Sequence, residues 1–166
     1  CGDVEIVGGD ITGSDKIFVS VTAIGSAKNR KISSRSSAKE GYKVIVSGEH
    51  GNSAKGLELL FAGKKEPEKF INAHLMPVAQ RQFSQQIAKN IDCDYAMMDT
   101  SDGLADALMQ IAKASGVTIS VDTTKIPHDP SVDIETALYG GEDYQLVAIV
   151  PDSKGYVCIG EVKHGK

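Results

Sequence analysis

Short runs of valine and isoleucine alternate along this chain with segments of helical periodicity, and this alternation narrows the folds open to it more than any other feature. Strand-like runs occupy residues 4–7, 17–24, 43–47, 96–99, 117–121, 144–150 and 157–162. Apolar residues between these runs form three helical faces, namely Leu57, Leu60 and Phe61; Phe83, Ile87 and Ile91; and Leu104, Leu108, Ile111 and Ala112. Strands that alternate with helices predict an α/β or α+β sandwich.

The clearest break in the pattern is a polar, basic stretch over residues 26–37. We interpret it as a linker and place a domain boundary near residue 30. Residues 1–29 then end one domain with a pair of strands, and residues 30–166 form a second α/β domain that is incomplete at its C-terminal end. The chain does not begin with Met, and residues 159–162 read as a strand with nothing after it. We therefore expect a piece of a longer protein.

Composition sets broad limits on function. Of the 166 residues, 41% are hydrophobic and 24% are charged, which is typical of a globular protein. No apolar run approaches the ~18 residues of a membrane helix, and the formal net charge of −4 without a basic cluster argues against a nucleic-acid partner. Cys1, Cys93 and Cys158 have neither disulfide nor zinc spacing, so we expect a reducing, cytoplasmic setting.

An acidic turn, defined as residues 99–103, joins a hydrophobic strand to the best-patterned helix. Asp99 and Asp102 are carboxylates at one corner, where the helix N-terminus would favour phosphate. Such hard oxygen ligands suit Mg²⁺, which usually completes its shell with water and substrate phosphates. Ser101 can donate to a phosphate oxygen. The turn alone is better explained by ordinary helix capping, because Ser and Asp are preferred N-cap residues.

Two further glycine-containing segments carry acids. Residues 8–14 have the glycine spacing of a phosphate-binding loop but Ser14 in place of its lysine, which argues against a P-loop enzyme and leaves a tight turn carrying Asp10. The glycine–acid segment, defined as residues 140–144, contains Glu142 and Asp143 beside a strand, at the kind of sheet edge where α/β folds bind ligands. The competing explanation for residues 8–14 is an ordinary hairpin turn, and for the glycine–acid segment it is a glycine that ends a helix.

Single polar residues outside these segments add little evidence about function. Arg35 lies in a polar loop from which it could reach a phosphate. His50 and His74 have no second ligand at metal spacing, and we expect surface or structural roles for them.

The order of these motifs is more specific than any one of them. The chain resembles thiamine-monophosphate kinase, a family of the superfamily typified by aminoimidazole ribonucleotide synthetase. The resemblance covers essentially the whole chain and rests on five segments in sequence, at residues 8–10, 35–38, 51–57, 98–104 and 140–144. It departs from the family pattern at Ser37, where glycine is usual, and at Asn52, where aspartate is usual.

The resemblance implies an α/β sandwich of the aminoimidazole ribonucleotide synthetase type, preceded by the last strands of an N-terminal domain. It implies direct transfer of the γ-phosphoryl group of ATP to thiamine monophosphate, with several Mg²⁺ ions and no phosphoenzyme. By motif position, the implied Mg²⁺ ligands are Asp10, Asp99 and Asp102. The implied ATP contacts are Gly9, Arg35 and Ser101, and the residue implied to bind the thiamine substrate is Glu142. Asp10 also belongs to the nucleotide site, and Asp143 is expected to be structural.

The family carries a further N-terminal region that binds metal and both substrates and forms a dimer. We therefore expect a homodimer for the full-length protein and little or no activity for these 166 residues alone. Two alternatives stay open. One is another ATP-using enzyme of the superfamily, such as the purine-pathway synthetase, selenophosphate synthetase or the hydrogenase maturation factor. The other is a non-catalytic nucleotide-binding remnant.

Overall fold

A computed structural model describes residues 4–27 and 29–165 of the chain, and its centre is one five-stranded antiparallel sheet. The sheet order is β2-β4-β1-β5-β3. The strands are β1 (Lys43–Val46), β2 (Ala96–Asp99), β3 (Thr118–Val121), β4 (Leu146–Val150) and β5 (Val157–Lys163). The helices are α1 (Asn52–Phe61), α2 (Glu68–Leu75), α3 (Arg81–Asn90), α4 (Leu104–Ser115) and α5 (Ile134–Tyr139), with one 3₁₀ turn at Thr123–Lys125.

Helices cover both faces of the sheet, because successive side chains of a strand point to opposite sides. Val44, Val46 and Val147 belong to the larger core, which also includes buried residues of α1, α2, α4 and α5. Ile45 and Ala148 belong to a smaller core with Phe83 and Ile87 of α3. The predicted sandwich is confirmed for residues 43–163.

Helix α4 follows its sequence pattern, whereas α1 does not. Leu104, Leu108 and Ile111 are buried as predicted. In α1 the buried residues are instead Ser53, Gly56 and Leu59, and Phe61 is 85% exposed. The reason is the unpredicted helix α2, whose backbone lies so close to α1 that a Cβ at Gly56 would overlap the carbonyl group of Phe70.

Residues 4–27 form neither of the two strands that the sequence predicts there. All five strands of the sheet come from residues 43–163, and residues 4–27 pair with none of them. A strand without a partner leaves its backbone groups to solvent and gains no packing. The apolar side chains of the segment are correspondingly exposed, with Ile11 at 97% and Phe18 at 87%.

Within the described residues, no helix has the length and apolar character needed to cross a membrane. Cys93 and Cys158 are free thiols.

Candidate functional site

Backbone hydrogen bonds join the acidic turn to the glycine–acid segment. Asp99, the last residue of β2, is paired in register with Leu146 of β4. Beyond this pair, the amide of Thr100 donates to the carbonyl of Gln145 at 2.9 Å, and the amide of Glu142 donates to the carbonyl of Ser101 at 2.7 Å. Two motifs about 40 residues apart in the sequence therefore form one surface at the end of the sheet.

Glycine is required where these two segments touch. A Cβ on Gly141 would lie 2.6 Å from the carbonyl oxygen of Ser101, well inside van der Waals contact. Gly103 has a φ of 102°, which side-chain-bearing residues rarely adopt, and its Cβ would lie 3.1 Å from the carbonyl oxygen of Tyr139. The two glycines thus let the acid-bearing backbones approach each other.

The acidic turn does not cap its helix with a side chain. Helix α4 is preceded by Gly103, and no side chain accepts a hydrogen bond from its first turn. Asp102 is exposed and Ser101 is half-buried, and neither side chain hydrogen-bonds another described residue. The same holds for the carboxylate of Asp99. Helix capping is therefore not the role of these side chains, and their oxygen atoms are available to a ligand beside the N-terminus of α4.

Glu142 and Tyr144 lie on the same surface. The Tyr144 hydroxyl donates to Oε2 of Glu142 at 3.0 Å. This hydrogen bond raises the pKa of Tyr144, and the negative charges of Glu142, Asp99 and Asp102 raise it further. The carboxylates of Glu142, Asp99 and Asp102 thus all lie near enough to Tyr144 to raise the pKa of its hydroxyl group.

Asp143 lies between these residues in sequence but serves a different part of the molecule. It is only 7% exposed, and its carboxylate accepts the amides of Gly51 at 2.5 Å and Ser53 at 2.8 Å. Burial raises its pKa, while hydrogen bonds from the amides of Ser53, Gly51 and Asn52 oppose the shift. Asp143 therefore caps the N-terminus of α1 from a distance. The N-cap residue of α1 is Gly51, which has no side chain to cap the helix itself.

The remaining predicted residues lie elsewhere. Gly9 and Asp10 are in the exposed segment 4–27, where Oδ1 of Asp10 accepts only the amide of Ile11, at 2.9 Å. The carbonyl of Arg35 accepts the hydroxyl of Ser115 at 2.7 Å, and Ser115 is the last residue of α4. Because α4 has 12 residues and is therefore about 18 Å long, the Arg35 backbone is at the opposite end of that helix from Ser101. The structure brings together Asp99, Ser101, Asp102 and Glu142, without Gly9, Asp10 or Arg35.

The donor set fits a divalent cation that is shared with phosphate. In residues 4–27 and 29–165, no three His, Cys, Asp or Glu side chains form a group able to hold a metal ion alone. Asp99 and Asp102 supply two hard carboxylates that hydrogen-bond no other described residue. Mg²⁺ characteristically takes one or two carboxylates and completes its octahedron with water and substrate phosphates. The pair thus suits a metal that arrives with a nucleotide better than a permanent protein cage.

Sequence comparison relates the chain to one family. No family model matches it. Thiamine-monophosphate kinase from Aquifex aeolicus is 38% identical over 98% of this chain and 58% of its own length. The proteins of the same name from Archaeoglobus fulgidus and Bacillus subtilis are both 35% identical, over 100% and 91% of this chain and 56% and 50% of their own lengths. The chain thus spans about half the length of the curated relatives it matches.

Solved structures agree with the sequence matches. The structure described as AaThiL complexed with AMPPCP and TMP is 36% identical, with a TM-score of 0.70 over 80% of this chain and 48% of that chain. Hydrogenase maturation protein HypE in complex with ATP matches at 19% identity with a TM-score of 0.63 over 79% of this chain and 45% of that chain, which supports the fold alone. The predicted aminoimidazole ribonucleotide synthetase-like fold is confirmed. The chain is therefore a homologue of the thiamine-monophosphate kinases and corresponds to about half of such a protein.

Proposed function

We propose that this chain provides part of the active site of an enzyme that phosphorylates thiamine monophosphate to thiamine diphosphate with ATP as donor. The observation that carries the proposal is the contact between the acidic turn and the glycine–acid segment, made through the Glu142 amide and the Ser101 carbonyl. These two segments are the most specific parts of the family resemblance. The AaThiL structure, described as a complex with AMPPCP and TMP, supports both substrates.

Asp99 and Asp102 hold Mg²⁺ in this proposal, and Ser101 donates to an ATP phosphate. Three properties support these roles: the side chains have no hydrogen-bond partners among the described residues, they lie together at the end of β2, and they adjoin the N-terminus of α4. Bound Mg²⁺ supplies neutralisation of the phosphate charge. The exposed carboxylate of Glu142 binds the thiamine substrate.

Direct in-line transfer suits these residues. A phosphate oxygen of thiamine monophosphate bonds to the γ-phosphorus as the bond from that phosphorus to the β,γ-bridging oxygen breaks, and ADP leaves. Phosphoryl transfer of this kind depends on positioning and charge stabilisation more than on a protein nucleophile. The described residues contribute to that task by fixing the acids on two hydrogen-bonded loops.

Other parts of the site are proposed from the resemblance. Residues 1–29 would end a domain that binds ATP and Mg²⁺, with Gly9 and Asp10 among the contacts, and residues 30–166 would form the C-terminal domain. Arg35 would contact ATP at a place separate from the acidic turn. A cytoplasmic homodimer is the expected form of the full-length protein.

A coupled ADP-release assay tests the proposal. The full-length protein that contains residues 1–166 should release ADP only when thiamine monophosphate, ATP and Mg²⁺ are all present. The 166-residue chain alone should release little or none, because about half of the relatives' length is not represented in it. Release of ADP by the full-length protein that does not respond to thiamine monophosphate would refute the assignment.

Ligand-dependent thermal stability discriminates the alternatives. The fold is shared with HypE, so another ATP-using reaction of the superfamily is the second candidate. Thiamine monophosphate should raise the melting temperature of the full-length protein, and aminoimidazole precursors should not. A non-catalytic remnant would bind ATP with Mg²⁺ in calorimetry and transfer no phosphoryl group.

A further inference from the structure

The backbone of the glycine–acid segment is held in an unusual conformation. Three non-glycine residues in the described part of the chain have a positive φ, and two of them are Glu142, at 65°, and Tyr144, at 51°. Residues with a Cβ adopt this left-handed region at a conformational cost, and such residues persist only where the surroundings determine them. Here the two of them bracket a single residue, Asp143.

Hydrogen bonds hold each residue around the strained positions. The Glu142 amide donates to Ser101, and the Asp143 carboxylate is bound to the N-terminus of α1. The Gln145 carbonyl accepts the Thr100 amide, and its side-chain oxygen accepts the Ser47 hydroxyl at 2.7 Å. This clamping leaves the side chains of Glu142 and Tyr144 both exposed on the surface of the acidic turn.

The Tyr144 hydroxyl is the only described group that hydrogen-bonds the Glu142 carboxylate. It is a neutral donor in a region that already contains Asp99 and Asp102, whose charges disfavour a third carboxylate nearby. The ring is 39% exposed and belongs to neither core, so core packing does not explain the residue. What remains is the hydroxyl group and the orientation it gives to Glu142.

We infer that Tyr144 is a positioning residue for the phosphate-acceptor substrate. Its hydroxyl fixes Oε2 of Glu142 and turns Oε1 toward a hydrogen-bond donor of that substrate. This inference rests on the proposed function, in which Glu142 binds thiamine monophosphate. Among the described residues the Tyr144 hydroxyl hydrogen-bonds Glu142 and not the acidic turn, so the expected effect is on the acceptor substrate rather than on the nucleotide.

Tyr144→Phe tests the inference, since it removes only the hydroxyl. In the full-length protein the KM for thiamine monophosphate should rise about five- to tenfold, as expected when one exposed hydrogen bond that orients a substrate-binding group is lost. The KM for ATP and kcat should stay within about twofold, because binding of the acceptor alone is weakened. Tyr139→Phe is the matched control. Tyr139 is 69% exposed, lies beside the same segment and makes no hydrogen bond through its hydroxyl to a described residue, so neither KM should change.

A double-mutant cycle separates positioning from a general structural effect. Glu142→Ala should raise the KM for thiamine monophosphate, and adding Tyr144→Phe should then change it by less than about twofold, because the residue acts through Glu142. An equal effect of Tyr144→Phe in both backgrounds would overturn the inference. The inference would also be overturned if Glu142→Ala raised the KM for thiamine monophosphate and Tyr144→Phe did not. That result would leave the proposed function intact. Absence of thiamine monophosphate phosphorylation by the unmodified full-length protein would overturn the proposed function and this inference with it.

Discussion

Replacing Asp143 with alanine should destabilise the chain strongly, although the residue lies between two exposed ones. Its carboxylate accepts amides at 2.5 and 2.8 Å from Gly51 and Ser53, which begin α1. Loss of an N-cap costs about 0.5–2 kcal/mol, and a buried hydrogen bond to a charged group contributes about 1.5–3 kcal/mol. Because burial of the carboxylate offsets part of this gain, we expect Asp143→Ala to lower the free energy of unfolding by about 3 kcal/mol.

Asparagine at the same position should be less destabilising than alanine. Its one oxygen can still accept from one of the two amides, whereas its NH2 group donates and leaves the other amide without an acceptor. Asp143→Asn should therefore cost about 1–2 kcal/mol, less than Asp143→Ala. Urea unfolding followed by circular dichroism measures the difference, and thermal unfolding should show Asp143→Ala about 6–12 °C below the unmodified chain.

Glu142→Ala is the control for these two variants, since the neighbouring acid is exposed and caps no helix. Its melting temperature should stay within about 2 °C of the unmodified chain, because surface substitutions away from such caps cost little. If Asp143→Ala unfolds at the same urea concentration as Glu142→Ala, the capping account of Asp143 is refuted.

Two further predictions concern stability. The side chain of His50 is fully buried, and desolvation lowers its pKa to about 4, against a smaller opposing effect of the Gly48 backbone. In the unfolded chain the imidazole of His50 takes up a proton near its ordinary pKa of 6.5, whereas in the folded chain it stays neutral until the pH approaches 4. The contribution of neutral His50 to the free energy of unfolding is therefore complete above pH 6.5 and is lost as the pH falls toward 4, with a loss of about 2 kcal/mol at pH 5. His50→Leu should abolish this part of the pH dependence in urea titrations, and an unchanged dependence would contradict the account. Gly56→Ala should destabilise by about 1–3 kcal/mol because α2 leaves no room for a Cβ, whereas Gly25→Ala, in open space, should have no effect on the unfolding midpoint. Equal midpoints for both variants would show that α1 and α2 are not packed so closely.

The sequence predicted the elements whose signals are local. Strands over residues 43–163 and the buried face of α4 follow from periodicity within a few residues, and the structure confirms them. The buried face of α1 could not be predicted, because it is set by α2, which packs on Gly56. The strands expected at residues 4–7 and 17–24 have the right composition, but a strand needs a partner that no short run of sequence reveals.

The candidate site, like the fold, was predictable from sequence only in part. The acidic turn and Glu142 were identified from motif order, yet only the fold shows that the two segments share a hydrogen bond. The cap from Asp143 to α1 spans 90 or more residues, so no local capping signal could have pointed to it. Tyr144 is part of the same motif, but its hydrogen bond to Glu142 could not be predicted, because the two side chains meet through two left-handed backbone positions.

The central claim is that the acidic turn holds Mg²⁺ and phosphate for transfer to thiamine monophosphate. Asp102→Asn tests it most directly, because Asp102 is exposed, hydrogen-bonds no described residue and should not be needed for folding. Asp106→Asn is the control, since Asp106 lies in the first turn of the adjoining helix and bonds Gln110 within that helix.

Steady-state kinetics of the full-length protein should show that Asp102→Asn lowers kcat/KM at least about 100-fold at saturating Mg²⁺, which corresponds to losing at least about 2.7 kcal/mol of transition-state stabilisation. Asp106→Asn should stay within about threefold of the unmodified protein. A value for Asp102→Asn within that same range, with unchanged dependence on Mg²⁺, would contradict the account.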